Sequence, residues 1–150
     1  MTATSKIAVV TGGSRGLGKN MALRLAGNGI DVVVTYHSKH EEAASVVKEI
    51  EATGQKGASL QFDAGDIPGL TDFTVRLFRV LSEKWGTTRF DFLINNGGIG
   101  ATIPFGQVTE TDFDTFMNIH FKGVYFLTQK LLPRINDKGR IINISSGTTR

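Results

Sequence analysis

Cysteine is absent from the 150 residues, which excludes disulfides and thiolate metal sites and suits a reducing, cytoplasmic setting. No apolar run is long enough to span a bilayer, and Met1-Thr2-Ala3-Thr4-Ser5-Lys6 has no apolar core of the kind a secretory leader carries, so no membrane partner is expected. Strong charge is missing too. The net charge is +3, from 17 Lys and Arg against 14 Asp and Glu, and the basic residues are scattered. That balance alone would permit a nucleic-acid partner, but no recognition motif accompanies it, and none is expected. His37, His40 and His120 are not spaced as metal ligands and are expected at the surface or at helix caps, so no metal is predicted. Tyrosine is scarce: only Tyr36 and Tyr125 occur, and neither has a lysine four residues on. There is no internal repeat and no low-complexity segment.

What is present is the composition of an ordinary globular α/β domain, 40% hydrophobic and 21% charged, and long enough to bury a core. The glycines are informative where they cluster, in Thr11-Gly12-Gly13-Ser14-Arg15-Gly16-Leu17-Gly18. This stretch follows a strand-like run, Lys6 to Val10, and opens a segment in which Leu17, Met21, Ala22 and Leu25 recur at helical spacing. It is therefore a strand-to-helix turn. Glycine tolerates a left-handed backbone there and lets N–H groups close on a ligand, while the helix start adds unsatisfied N–H groups and the positive dipole end. A phosphate, as in a dinucleotide, is the ligand such a turn suits. The Gly-x-x-x-Gly-x-Gly spacing of Gly12, Gly16 and Gly18 differs from the Gly-x-Gly-x-x-Gly fingerprint.

The rest of the chain alternates strands and helices. Ile30 to Tyr36 is a β-branched run fit for a strand buried on both faces. Ser38-x-x-Glu41 reads as a capping box that starts a second helix, with Gly54 as terminator. Ala58, Leu60 and Phe62 alternate in a third strand ending at Asp63, and a helix from Leu70 closes near Trp85-Gly86. Phe90 to Asn95 is a fourth strand. Thr109 or Thr111 caps a long fourth helix that carries Phe113, Phe116, Met117 and Phe121 and ends by Pro133, its phenylalanines assigned to core or subunit interface. Gly123 in its middle implies a close neighbour, since glycine there costs ~1 kcal/mol. Arg140 to Ile144 is a fifth strand, whose Ile141, Ile142 and Ile144 read as buried within a parallel sheet. The pattern predicts a doubly wound parallel sheet (Rossmann fold) of five strands with flanking helices, ligands sitting at the strands' carboxyl ends.

These residues resemble the short-chain dehydrogenase/reductase family, classical type, N-terminal part. Thr11-Gly12-x-x-x-Gly16-x-Gly18 matches its cofactor turn, and Asn95-Asn96-Gly97-Gly98 its Asn-Asn-Ala-Gly segment, with Gly97 in place of alanine. Asn118, with Gly123 beyond it, resembles the active-site asparagine region, and Asn143-Ile144-Ser145-Ser146 the strand end that carries the catalytic serine. The resemblance implies an oxidoreductase that moves hydride between a nicotinamide and a small carbonyl/alcohol substrate, the reductase direction favoured. It implies cofactor contacts at Gly12, Ser14, Arg15, Gly16, Leu17, Gly18, Ser38, Lys39, Asp63, Ala64, Asn95 and Gly97, with Asp63 meeting the adenine. Asp63 could instead be a plain turn aspartate, and Asn95 could serve its turn rather than the cofactor ribose.

The second strand ends in Tyr36-His37-Ser38-Lys39 with no carboxylate, and Arg15 sits in the glycine turn. An acidic residue there would bind a ribose 2′-hydroxyl and repel a 2′-phosphate; a guanidinium clamps a phosphate in bidentate fashion. NADP(H) is therefore expected in preference to NAD(H), although Ser38 could be only a cap, and Arg15 and Lys39 only solvated charges. In the family a tyrosine gives the proton, a lysine one helical turn on lowers its pKa, and a serine and an asparagine assist; Ser146 and Asn118 fit the last two roles. The family's Tyr-x-x-x-Lys pair lies on the helix after the fifth strand, and residues 1–150 contain no such pair. The expectation is an incomplete dinucleotide-binding domain, the cofactor half of a longer reductase that forms a homodimer or homotetramer when complete. The alternative is a non-catalytic NADP(H)-binding or regulatory protein.

Overall fold

The computed structural model describes residues 5–146. Five strands, β1 (Ile7–Val10), β2 (Asp31–Tyr36), β3 (Gly57–Gln61), β4 (Phe90–Asn95) and β5 (Ile135–Asn143), form one sheet in the order β3-β2-β1-β4-β5. Every neighbouring pair is parallel, with Val9 opposite both Val33 and Leu93. The helices that connect them are α1 (Gly16–Gly27), α2 (His40–Glu51), α3 (Leu70–Trp85), α4 (Glu110–Met117) and α5 (Gly123–Leu131). This is the doubly wound sheet expected from the alternation, and its winding reverses between β1 and β4.

Alternate side chains on the strands build two separate cores, because successive residues point to opposite faces. Val9, Val33 and Leu93 pack with Phe73, Leu77 and Leu81 of α3 and Leu127 and Leu131 of α5. Ala8, Val10, Val32, Val34 and Ile94 pack with Ala22 and Ala26 of α1 and Val46 and Ile50 of α2. Both faces of β1 and of most of β2 are thus dry, which is why these strands read as unbroken apolar runs.

Helix ends follow the sequence in part. Gly86 ends α3 in a left-handed conformation, φ +69°. Thr109, rather than Thr111, caps α4: its hydroxyl accepts from the Asp112 N–H while the Asp112 carboxylate accepts from the Thr109 N–H. The Thr109 hydroxyl and then its N–H hold the Asp112 carboxyl below its usual pKa.

Four expectations are corrected. The Ser38-x-x-Glu41 box does not form, because Lys39 is the N-cap and α2 starts at His40, which leaves Ser38 one residue too early to reach the first turn. Helix α2 stops at Glu51 with Ala52 as cap, and Gly54 (φ +88°) instead reverses the chain toward β3. The long fourth helix is continuous but loosens into a π-helical stretch, Asn118–Lys122, between α4 and α5. Strand β5 begins at Ile135, contains an irregularity that includes Lys138 at φ +66°, and is the outer strand of the described sheet. Ile141, Ile142 and Ile144 are accordingly exposed by roughly two-fifths to a half rather than buried. Phe113 and Phe121 are exposed, which leaves the subunit interface of the two settings expected for the phenylalanines.

Gly123 has the close neighbour that its position implied. A Cβ there would lie 2.0 Å from the Ala64 carbonyl oxygen and 2.8 Å from that of Asn118. Helix α5 therefore lies directly on the loop that follows β3. Gly123→Ala should lower the unfolding free energy by about 1–3 kcal/mol through overpacking, against the ~1 kcal/mol gain that helix propensity alone would give. Denaturant unfolding measures it, and a stabilised variant would contradict this packing.

Candidate functional site

The carboxyl ends of β1, β2 and β4 are tied together by the glycine turn. The Gly12 N–H donates to the Thr35 hydroxyl (3.1 Å) and the Gly13 N–H to the Thr35 carbonyl (2.9 Å), which joins the turn to β2. On the other side the Thr11 hydroxyl accepts from the N–H groups of Asn96 (3.0 Å) and Gly97 (2.9 Å). The Asn96 side-chain amide donates to the carbonyls of Thr11 (3.0 Å) and Gly12 (3.2 Å). Within this frame Gly12 and Gly16 are left-handed, at φ +65° and +55°. A Cβ at Gly18 would lie 2.2 Å from the Gly12 carbonyl oxygen, so no larger residue fits unless the backbone of the turn shifts.

The frame aims the start of α1 outward. Its N-cap, Arg15, is extended and makes no side-chain cap bond, and no acidic residue lies in the first turn. The first N–H groups of α1 therefore have no side-chain cap at Arg15 and no carboxylate of their own turn opposite them, which is the electrostatics of an anion site.

A cleft of about 450 Å³ opens at this point. It runs from the ends of β2 and β3 across the glycine turn to the segment after β4, and its size is that of a small-molecule site. Of the residues expected to bind a cofactor, Gly12, Ser14, Arg15, Gly16, Leu17 and Gly18 line it from the turn. Ser38, Lys39, Asp63, Ala64 and Gly97 line it from the strand ends. Asp63 keeps a turn role as well: one carboxylate oxygen accepts from the Gly65 N–H at 2.8 Å, and the other lies 3.5 Å from His37 Nε2.

Three expected residues lie elsewhere. Asn95 is buried and does not line the cleft; its amide donates to Thr128 (3.1 Å) and to Asn143 on β5 (2.8 Å), and its Oδ1 has no partner among the described residues. The loop-holding job expected of it falls to Asn96. Asn118 is half-buried at the head of the π-helical stretch, where its carbonyl accepts from the Gly123 N–H, and it is not a lining residue. Ser146 is exposed, three residues beyond β5, and likewise does not line the cleft.

Tyr36, His37, Asn96, Gly98, Ile99 and Ile119 also line the cleft, although none of them was among the expected cofactor contacts. The first four sit at strand carboxyl ends, where position alone marks them; nothing in the sequence marks Ile119, because its direction depends on the π-helical stretch. Among the described residues no group of three or more His, Asp or Glu is arranged to hold a metal, and no helix is long and apolar enough to cross a membrane.

A larger cleft, about 740 Å³, lies at the opposite ends of the strands. Its buried acid, Asp31, is already satisfied by the Lys56 N–H and the Trp85 indole N–H, both at 2.8 Å. Chemistry and not volume therefore selects the site, which lies where parallel sheets bind ligands.

The chain belongs to the short chain dehydrogenase family, whose pattern it matches over residues 6–150. It is 36% identical over 143 residues to a short-chain dehydrogenase/reductase of Pestalotiopsis microspora, covering 95% of this chain and 52% of that one. It is 35% identical over 143 residues to a hydroxynaphthalene reductase-like protein, Arp2, of Metarhizium robertsii, covering 95% and 51%. The chain thus spans about half the length of these curated relatives. Among solved structures, landomycin C-6 ketoreductase LanV with bound NADP and rabelomycin superposes with a TM-score of 0.94 at 37% identity, covering 98% of this chain and 60% of that one. The reductase LugOII of lugdunomycin biosynthesis superposes with a TM-score of 0.93 at 35% identity, covering 100% and 63%.

Removing the Asn96 clamp tests the frame. Asn96→Ala should weaken dinucleotide affinity about ten-fold and cost about 1–2 kcal/mol of stability, one to two hydrogen bonds' worth. Calorimetric titration and thermal unfolding measure the two; unchanged affinity would separate the clamp from the site.

Proposed function

We propose that this chain is the cofactor half of an NADP(H)-dependent oxidoreductase that interconverts a small-molecule carbonyl and its alcohol, with reduction the favoured direction. The observation that carries the reading is the start of α1, with neither acidic residue nor side-chain cap, opening into a cleft whose other end carries Ser38 and Lys39 in place of a carboxylate. The residues present fit a dinucleotide. Gly18, lacking a Cβ, lets α1 start against the Gly12 carbonyl, so that the first N–H groups of α1 would receive the pyrophosphate, and Asp63 and Ala64 would flank the adenine.

When bound, the nicotinamide supplies or accepts hydride. The chain's own part is to bind and orient it. Arg15, Ser38 and Lys39 would hold a 2′-phosphate, the guanidinium by paired charge-assisted bonds. The NADP-bound ketoreductase among the similar structures supports that preference. Ser146 would hydrogen-bond the substrate oxygen and Asn118 would support a water near it. A proton donor of the Tyr-x-x-x-Lys kind does not occur in residues 1–150, so the reading assigns cofactor binding to this segment and proton delivery to other residues of the whole protein. The same reading makes the protein a cytoplasmic homodimer or homotetramer, a second copy covering the exposed Phe113, Phe121 and Tyr125 along α4 and α5.

Arg15→Ala tests the cofactor assignment. NADPH affinity should fall about ten-fold or more, the worth of a hydrogen-bonded charge pair, while NADH affinity barely moves. Fluorescence titration of both nucleotides reads it; an equal loss of both would contradict a 2′-phosphate at Arg15.

A further inference from the structure

His120 is the middle residue of the π-helical stretch, next to the cleft-lining Ile119. Its ring stacks on Phe116, centroids 5.7 Å apart and planes 15° from parallel. The ring also packs against the segment after β4: a Cβ at Gly98 would lie 2.6 Å from its Cε1. Its Nε2 faces both backbone groups of one residue, 2.8 Å from the Ile99 carbonyl oxygen and 3.3 Å from the Ile99 nitrogen. Gly98 and Ile99 both line the cleft, at the end given by β4. His120 is thus the side chain that joins the π-helical stretch to that wall.

One nitrogen cannot serve both backbone groups at once. Nε2 donates to the carbonyl when it carries a proton and accepts from the N–H when it does not. Imidazolium allows only the first arrangement, and neutral imidazole allows either, according to tautomer. No other ionisable group competes for the ring among the described residues. The facing wall, Gly97, Gly98, Ile99 and Gly100, carries none, and neither does Phe116 beneath it. Asp63 and Asp66 stand in the loop that packs on Ile119 and Gly123, and Lys122 lies on the same stretch; none of them pairs with His120.

We propose that His120 is a positioning residue for the cleft: it holds the wall at Ile99, and the proton on Nε2 decides whether the wall is held by the Ile99 carbonyl or by its N–H. The consequence for binding rests on the reading of the cleft as a dinucleotide site. The latch itself does not.

The test uses the whole isotope-labelled protein and begins without ligand. The Ile99 amide resonance, followed by NMR from pH 5 to 8.5, should move with the His120 ring titration and lie flat in His120→Gln, which can donate but does not titrate. An Ile99 resonance that ignores the ring overturns the proposal. NADPH and NADH affinities are then measured across the same range. His120→Ala should lose about ten-fold for both nucleotides, and His120→Gln should stay within about three-fold of wild type at neutral pH. The wild-type pH profile should carry a component that the glutamine variant lacks. That component must be present with NADH too, since NADH has no 2′-phosphate to titrate. Affinities in His120→Ala equal to wild type overturn the positioning role. If the wild-type protein binds neither nucleotide, the cofactor reading falls, and the ligand-free amide titration still decides the latch.

Discussion

The structure depends on the contact between Gly18 and the Gly12 carbonyl, which lets α1 begin directly on the end of β1. A single Cβ at Gly18 would come within 2.2 Å of that oxygen. Because the helix starts so close, the Thr11 hydroxyl and the Asn96 amide can join the turn to β4, and Thr35 can join it to β2. Three strand ends are then fixed relative to one set of uncapped N–H groups. Preorganised donors of this kind cost nothing further when an anion arrives, and the low-dielectric strand ends strengthen each bond.

The second constraint lies on the far side of the cleft. Gly123 lets α5 rest against the Ala64 carbonyl, and the π-helical stretch before it turns Ile119 into the cleft and His120 onto Ile99. A regular α-helix through Asn118–Lys122 would present a different set of side chains. The two walls of the cleft are therefore set by two local departures from regular structure, a left-handed glycine turn and a π-helical stretch. Such irregularities concentrate at functional sites because the surrounding packing over-determines them.

The fold was legible because both of its signals are periodic. The β-branched run of β2, the alternation of Ala58, Leu60 and Phe62, and the helical spacing of Leu70, Phe73 and Leu77 each follow from one-residue geometry. The glycine turn was legible for the same local reason. What escaped depends on one-residue shifts that no composition rule fixes. Ser38 misses its cap because α2 starts one residue later. Of two adjacent asparagines, Asn96 clamps the turn while Asn95 turns inward toward Thr128 and Asn143. His120 is exposed, as expected, but the sequence does not show that the loosened helix brings its ring to Ile99. Strand β5 reads as interior from its isoleucines, yet burial there is decided by what lies beside the strand and not by its own residues.

The central claim is that the cleft over the start of α1 is where a nicotinamide dinucleotide binds. Adding NADP⁺ to the isotope-labelled protein and mapping backbone amide shifts tests it most directly. The account predicts that the largest changes fall on Gly12 to Gly18, on His37 to Lys39 and on Gly97 to Ile99, with residues around Asp31 and Trp85 unmoved. Changes centred on Asp31 and Trp85, or none at the start of α1, would contradict it.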